Sequence, residues 1–131
     1  MYVCWEDPGD PLAWQRQLSA DNGHLFFGLF DNERLIGTSG IQFQADGSAE
    51  FCDLRIEPDY RKRGLADILH GVRQRYLAQQ GFTGPVTVAI YAGNTRSLKA
   101  AERNGFRLTE VQERHRPTGS ATFHCFSLQM K

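Results

Sequence analysis

The sequence predicts a mixed α/β sheet with at least one parallel crossover, built as one domain. Strand-like segments come first, and two helical segments then alternate with strand-like ones before two final strands. Alternation of this kind is typical of parallel strands that are joined by helical crossovers. No Pro/Gly/Ser-rich linker, repeat or low-complexity tract divides the 131 residues, so we expect a single domain over residues 1–131.

The N-terminal segment is predicted to hold only a short strand and a short helix. Residues 2–5 favour a strand, and a turn-forming cluster of Asp, Pro and Gly follows it. Residues 12–19 are predicted to be helical, because Asp10 can cap the helix and Pro11 suits its first position.

A β-hairpin and a third strand follow. Residues 25–30 are rich in aromatic side chains and are joined to residues 34–43 by an Asp-Asn-Glu turn, which is a hairpin signal. After a second turn, residues 49–56 alternate as a strand. Alternation places two sets of side chains on opposite faces: Glu50, Cys52, Leu54 and Ile56 on one, and Phe51, Asp53 and Arg55 on the other.

The C-terminal half alternates between helices and strands. Residues 65–80 carry apolar side chains at helical spacing, which predicts a helix. Residues 86–91 are nearly all apolar, as is typical of a strand buried on both faces. A second helix is predicted over residues 95–104, followed by strands over residues 106–112 and 121–129.

Composition and charge exclude several classes of protein. The 15 basic and 15 acidic residues balance, which argues against nucleic acid as the main partner. No stretch approaches the roughly 18 apolar residues of a membrane span, and the acidic N-terminus does not resemble a signal peptide. The three cysteines are far apart and the four histidines form no i, i+4 pair, so we expect neither disulfides nor a metal site. A reduced, cytoplasmic location is the default expectation.

The most informative segment is the loop between the third strand and the first long helix, with the sequence IEPDYRKRGLA. Unpaired N–H groups at a helix N-terminus, together with the helix dipole, form an anion site. Gly64 permits close approach of the backbone, and three cations precede it, which suits a ligand with several phosphates. The spacing matches neither a P-loop nor a dinucleotide fingerprint. A solvated basic turn is the alternative interpretation.

This loop and a second motif together resemble those of the GNAT acetyltransferase superfamily. Arg61-x-x-Gly64-x-Ala66 after a strand resembles the acetyl-CoA loop of that superfamily, and Asn94-Thr95-Arg96-Ser97 followed by ERNGF resembles its second motif. The resemblance covers roughly residues 33–108, and the order of elements agrees through the last two strands. It implies a GNAT-like acyl-CoA N-acyltransferase fold with a short N-terminal region.

The resemblance implies acetyl-CoA as co-substrate and assigns its contacts. The loop amides would hold the pyrophosphate, and the preceding strand would splay from its neighbour and pair with the pantetheine arm. The Leu54 amide would polarise the thioester carbonyl, as a small oxyanion hole does. Asn94 would bond the pantetheine region while it caps the second helix. The implied cofactor-binding residues are Leu54, Arg55, Ile56, Arg61, Lys62, Arg63, Gly64, Leu65, Ala66 and Asn94.

Direct transfer to an amine needs a base but no covalent enzyme intermediate. Glu50 is the favoured base: it lies eleven residues before Arg61, where many members carry glutamate, on a predicted strand face that is otherwise apolar. The alternative is that Glu50 is only an exposed carboxylate at a strand end. Asp53 is the second candidate, although alternation puts it on the other face unless a bulge intervenes. Cys52 is expected to be a packing residue.

The acid that protonates the departing thiolate is where the sequence departs from the family pattern. Many members carry tyrosine seven residues after the motif asparagine, and here that position is Ala101. Ser97 fits a branch similar to ribosomal-protein N-terminal acetyltransferases, and Tyr91 at the end of the buried strand is the other candidate. Ser97 is equally well explained as a serine that satisfies the first helical turn.

The sequence therefore predicts an acetyl-CoA-dependent N-acetyltransferase that acts on a primary amine of a small molecule or of a peptide N-terminus. A non-catalytic acyl-CoA-binding module is the alternative. No nucleic-acid or membrane partner is expected. Since the N-terminal region is short, the acceptor side is either open or completed by a second subunit in a homodimer.

Overall fold

The computed structural model describes residues 2–4, 15–21, 23–31 and 34–130. The strands are β1 Tyr2–Cys4, β2 Gln15–Asp21, β3 His24–Asp31, β4 Arg34–Phe43, β5 Ala49–Ile56, β6 Pro85–Tyr91, β7 Arg107–Arg116 and β8 Gly119–Gln129. The helices are α1 Leu65–Gln79 and α2 Thr95–Arg103, and a 3₁₀ turn at Pro58–Tyr60 precedes α1. The predicted elements from residue 25 onwards are confirmed, with ends that differ by a few residues.

The strands form one mixed sheet in the order β1-β2-β3-β4-β5-β6-β8-β7. Within the described ranges, β5 and β6 are the parallel pair and all other neighbours are antiparallel. The chain runs from β5 to β6 through α1, which is the predicted crossover. No helix in the described part of the chain is long and apolar enough to cross a membrane.

The predicted helix over residues 12–19 is wrong from Gln15 onwards. Gln15–Asp21 forms strand β2, which pairs along its whole length with β3. Hydrogen bonding to a neighbouring strand has overridden the local signals for a helix, which carry little free energy by themselves. The capping residues Asp10 and Pro11 lie outside the described residues.

Both helices pack against the same face of the sheet. The Phe51 ring on β5 lies near His70 of α1 and near Phe106, which follows α2. Asp67 of α1 accepts hydrogen bonds from Arg103 at 3.2 Å and from Asn104 at 2.9 Å, and so joins the start of α1 to the end of α2. In the described chain the opposite face of the central strands carries no helix, and we call it the open face.

The strict alternation predicted for β5 is wrong, because a β-bulge interrupts it. The register with β4 shifts between Gly40↔Cys52 and Thr38↔Arg55, and Asp53 at the shift has a φ of 55°. Before the bulge Phe51 points to the helices, and after it Leu54 and Ile56 pack there with residues of α1. The side chains that share the open face are therefore Glu50, Cys52, Asp53 and Arg55.

Candidate active site

Strands β5 and β6 separate at the centre of the sheet. Their parallel pairing extends over three register pairs and ends at Phe51↔Val88. Both strands continue beyond it, β5 to Ile56 and β6 to Tyr91, without pairing to each other. The bulge at Asp53 begins just past the last pair, so it bends β5 away from β6. The result is a wedge-shaped gap whose walls expose main-chain groups.

The loop after β5 presents unpaired main-chain N–H groups at the start of α1. Lys62 and Gly64 both have left-handed backbone conformations, with φ of 64° and 78°. Gly64 is the N-cap, and no side chain caps the helix. The Ile68 N–H donates to the Gly64 carbonyl, so among the described residues the amides of the preceding turn have no main-chain acceptor. The arrangement is suited to an anion.

A groove of about 510 Å³ runs from this loop to the gap between the strands. Its lining is predominantly cationic and includes one acidic residue, Asp67; the basic residues are Arg55, Arg61, Lys62, Arg96, Lys99 and Arg103. It brings together nine of the ten residues predicted to bind the cofactor: Leu54, Arg55, Ile56, Arg61, Lys62, Gly64, Leu65, Ala66 and Asn94.

Arg63 is the exception, although the resemblance implies a contact through its main-chain N–H and not through its side chain. Its guanidinium lies 5.0 Å from the centre of the Tyr60 ring and does not line the groove. The Tyr60 hydroxyl donates to Asp31 at 2.8 Å, and this hydrogen bond raises the Tyr60 pKa. The Arg63 side chain thus packs within the loop. Its main-chain N–H remains the group predicted to contact the pyrophosphate. Arg61 is tied similarly, since its Nε donates to the Ile56 carbonyl at 3.0 Å.

A second cavity of about 220 Å³ occupies the gap itself and adjoins the groove at Leu54, Asn94 and Ser97. Its lining comes from both faces of the sheet, because the separated strands leave an opening between them. Cys52, Asp53, Ala89 and Tyr91 line it from the open face, and Phe51, His70, Arg73, Val88 and Ile90 line it from the helical face.

The residues predicted to assist the thiolate lie at this opening. The Asn94 side chain caps α2 by accepting from the Ser97 N–H at 3.3 Å, which confirms its capping role. Ser97 lines both cavities, whereas Tyr91 lines only the smaller one. The Tyr91 ring packs against Phe123, with the Arg116 guanidinium 5.3 Å from its centre. Ala101, on the buried side of α2, is fully buried and cannot contribute to the site.

The predicted base Glu50 lies on the open face but lines neither cavity. It sits between Gln42 and Thr87, in the part of the sheet where β5 and β6 are still paired. The second candidate, Asp53, is brought to this face by the bulge, and its carboxylate contacts the His24 Nε2 at 3.0 Å. His24 was not predicted as a site residue, because no sequence spacing links it to β5.

Burial alters the ionisation of the groups around the smaller cavity. Burial first and the Asp53 charge second raise the pKa of the Cys52 thiol to about 12. A thiol of this kind is a poor nucleophile near neutral pH, which agrees with direct transfer. Burial and the neighbouring Arg73 charge lower the His70 pKa to about 3, so its neutral Nδ1 can accept from Arg73 at 3.3 Å.

Arg73 is a second residue that the sequence did not single out. It is 1% exposed, and burial lowers its pKa. Its guanidinium donates to the carbonyls of Leu69 and Gly40 and lies 4.1 Å from the centre of the Phe51 ring. Within the described residues it has no carboxylate partner. The helical pattern predicts a solvated face for α1 at this point, and burial beneath β5 overrides that expectation.

Solved structures with the same fold come from several acetyltransferases. The ribosomal-protein-S18-alanine N-acetyltransferase from Escherichia coli matches with a TM-score of 0.74 and 18% identity, over 86% of this chain and 72% of that one. Arabidopsis thaliana NAA60, solved with a bisubstrate analogue, matches with a TM-score of 0.74 and 16% identity over 85% and 78% of the chains. A dodecameric spermidine N-acetyltransferase from Vibrio cholerae gives 0.71 and 19%, over 83% and 66%.

No curated protein gives a significant match to the sequence. The sequence pattern of the acetyltransferase (GNAT) family, in contrast, matches residues 1–106. The predicted fold class and the predicted resemblance are both confirmed by these matches. The chain belongs to the GNAT acetyltransferase family, and the protein is an acyltransferase.

Proposed function

We propose that the protein is an acetyl-CoA-dependent N-acetyltransferase that acetylates a primary amine by direct attack on the thioester. The observation that carries the proposal is the continuity of two cavities. A cationic groove at the start of α1 leads into an opening through the sheet, at the point where β5 and β6 separate. A long ligand with phosphates at one end and a reactive thioester at the other fits this arrangement.

The phosphate end would lie on the loop before α1. The open main-chain amides there supply hydrogen bonds, and the helix dipole adds to the charge of Arg61 and Lys62. Lys99 and Arg96 on the start of α2 face the same groove and would meet a further phosphate. The residues present therefore fit a ligand with several phosphates without rearrangement of the fold.

The pantetheine arm would pair with β5 where β6 no longer does. Past Phe51 the edge of β5 that faces the gap lacks a β-sheet partner, so its main-chain groups at Leu54 and Ile56 are free for an amide-containing ligand. The Leu54 amide would then lie beside the thioester carbonyl and stabilise the charge that develops on its oxygen. Asn94 at the start of α2 closes the opposite wall.

The acceptor amine would approach from the open face. The ammonium must lose one proton before attack, and both bases predicted from the sequence lie on that face: Asp53 lines the smaller cavity, and Glu50 lies outside it. When the C–S bond breaks, Ser97 or Tyr91 would assist the thiolate, and Ser97 stands where the two cavities meet.

The acceptor class is best sought among amines of the kind that structurally similar enzymes are named for. These include alanine of ribosomal protein S18 and spermidine. Phe26 and Phe43, on the described part of this sheet, have exposed apolar side chains. These side chains could contact an acceptor, or a second subunit that completes the site. Sedimentation that finds only monomer at full activity would exclude the homodimer.

The decisive experiment measures binding and turnover separately. We expect CoA and acetyl-CoA to raise the melting temperature, and thiol release from acetyl-CoA to depend on an amine from a panel of peptide N-termini and polyamines. Stabilisation without turnover on any amine would favour a non-catalytic acyl-CoA-binding module. Absence of stabilisation would contradict both functions.

A further inference from the structure

The open face carries a pair of residues beside the smaller cavity: Asp53 lines that cavity, and His24 contacts Asp53 without lining it. His24 is the first residue of β3, and Asp53 is the bulged residue of β5. Their side chains meet, with His24 Nε2 3.0 Å from a carboxylate oxygen of Asp53. We propose that His24, oriented by Asp53, is the base that removes the proton from the acceptor amine. The inference rests on the proposed acetyltransferase function.

The backbone at Asp53 is strained in a way that serves this contact. A φ of 55° is uncommon for a residue other than glycine and costs roughly 1 kcal/mol, although Asp tolerates it better than most residues. The bulge turns the Asp53 side chain to the open face, and the next residue, Leu54, supplies the amide proposed for the thioester. The His24–Asp53 pair is therefore anchored one residue from the proposed carbonyl site.

Contacts on two sides fix the imidazole. His24 stacks on Phe26 with the ring centres 4.0 Å apart, and Gly40 leaves space beneath it. A Cβ at residue 40 would lie 3.0 Å from His24 Nε2 and 3.2 Å from Cys52 Sγ, which is tighter than ordinary contact. Glycine at this register position thus makes room for the pair.

The carboxylate also selects the tautomer. A neutral imidazole beside Asp53 carries its proton on Nε2, because that N–H can then donate to the carboxylate. The lone pair then resides on Nδ1, which has no partner among the described residues. Nδ1 is then the atom that can take a proton, while the carboxylate holds the ring in place through the far nitrogen.

The proton balance is complete without any covalent intermediate on the enzyme. His24 takes one proton from the ammonium, and the free amine then attacks the thioester carbonyl carbon. The C–N bond forms and the C–S bond breaks, the thiolate takes the second proton from the nitrogen, and His24 returns its proton to water. Cys52, 3.3 Å from His24 Nε2, remains a protonated thiol and takes no part in transfer.

Kinetics of the full chain with acetyl-CoA and an accepted amine test the assignment. For His24→Ala we expect kcat to fall about 100-fold, with the Kd of acetyl-CoA unchanged, and added imidazole to restore part of the rate. Asp53→Asn should keep the tolerated backbone conformation and lower kcat about tenfold. His115→Ala, on the exposed strand β7, is the matched control and should behave as the wild-type protein.

Three outcomes would overturn the assignment while leaving the acetyltransferase function intact. The first is His24→Ala at wild-type kcat while Glu50→Gln is inactive. The second is activity that chelators abolish and Zn²⁺ restores, because His24, Cys52 and Asp53 offer ligand atoms within 4.8 Å of one another. A folded His24→Ala protein that imidazole does not rescue would also count against it. Failure of the wild-type protein to turn over any amine would instead contradict the proposed function itself.

Discussion

The groove and the open face differ in how the chain builds them. The groove comes mainly from one continuous stretch, from the end of β5 to the first turn of α1, and its main contribution is main-chain N–H groups. The open face combines side chains of β3 and β5 that meet only because of sheet register and a bulge. A ligand with phosphates can be bound by local backbone geometry, whereas proton transfer needs side chains from separate strands.

The smaller cavity between these two regions adds a third contrast, because part of its wall is buried. His70 is 2% exposed, and its pKa lies near 3 instead of the ordinary 6.5 because of burial and the Arg73 charge. Below pH 6.5 the unfolded chain binds a proton at His70 that the folded chain does not. The free energy of unfolding therefore falls as the pH falls from 6.5 towards 3.

This effect is the largest change in stability that we predict. Between pH 6.5 and pH 5 His70 should remove about 2 kcal/mol from the free energy of unfolding. Urea unfolding measured at several pH values across this range gives the free energy of unfolding as a function of pH. This free energy should fall less steeply with falling pH for His70→Gln than for the wild-type protein. His115→Gln on the exposed β7 is the control and should keep the steep slope. Equal slopes for all three proteins would mean that the cavity wall is open to water.

The role of the groove in CoA binding can be tested by substitution of two glycines, which share a left-handed conformation but lie in different parts of the chain. Gly64 and Gly47 have φ of 78° and 89°, and a Cβ would meet nothing within 4 Å at either position. Alanine should cost each position roughly 1 kcal/mol of stability through backbone strain alone. Only Gly64→Ala should weaken CoA binding, by about tenfold, because only Gly64 lies where the phosphates would approach.

Calorimetric titration with CoA, together with urea unfolding of both variants, measures the two effects separately. Equal CoA affinity for Gly64→Ala and Gly47→Ala would contradict the assignment of the pyrophosphate to this loop. Weaker binding by both variants in proportion to their stability would show that the groove responds only to global strain.

The same contrast explains what the sequence could predict. The loop residues that line the groove could be predicted as a group, because a basic, glycine-containing segment at a helix start forms an anion site wherever the helix lies. The stacking of the Arg63 side chain on Tyr60 could not be predicted, because it depends on the path of the loop. The contact between His24 and Asp53 could not be predicted, since one bulged residue reverses the face of every side chain after it.

The smallest effect that we predict concerns the thiolate, at the junction of the two regions. Ser97 lines both cavities, so under the proposed function its hydroxyl would be within reach of a sulfur bound between them. Loss of one hydrogen bond to a charged group that forms late should lower kcat of Ser97→Ala about fivefold, with no change in the Kd of acetyl-CoA. Ser120→Ala is the matched control, because Ser120 is an exposed residue of β8. Tyr91→Phe should change kcat less, because Tyr91 is 46% exposed and packs against Phe123 outside the groove. If Tyr91→Phe lowered kcat more than Ser97→Ala did, the sulfur would lie nearer the open face than the groove. The thiolate would then form close to the residues proposed for proton transfer.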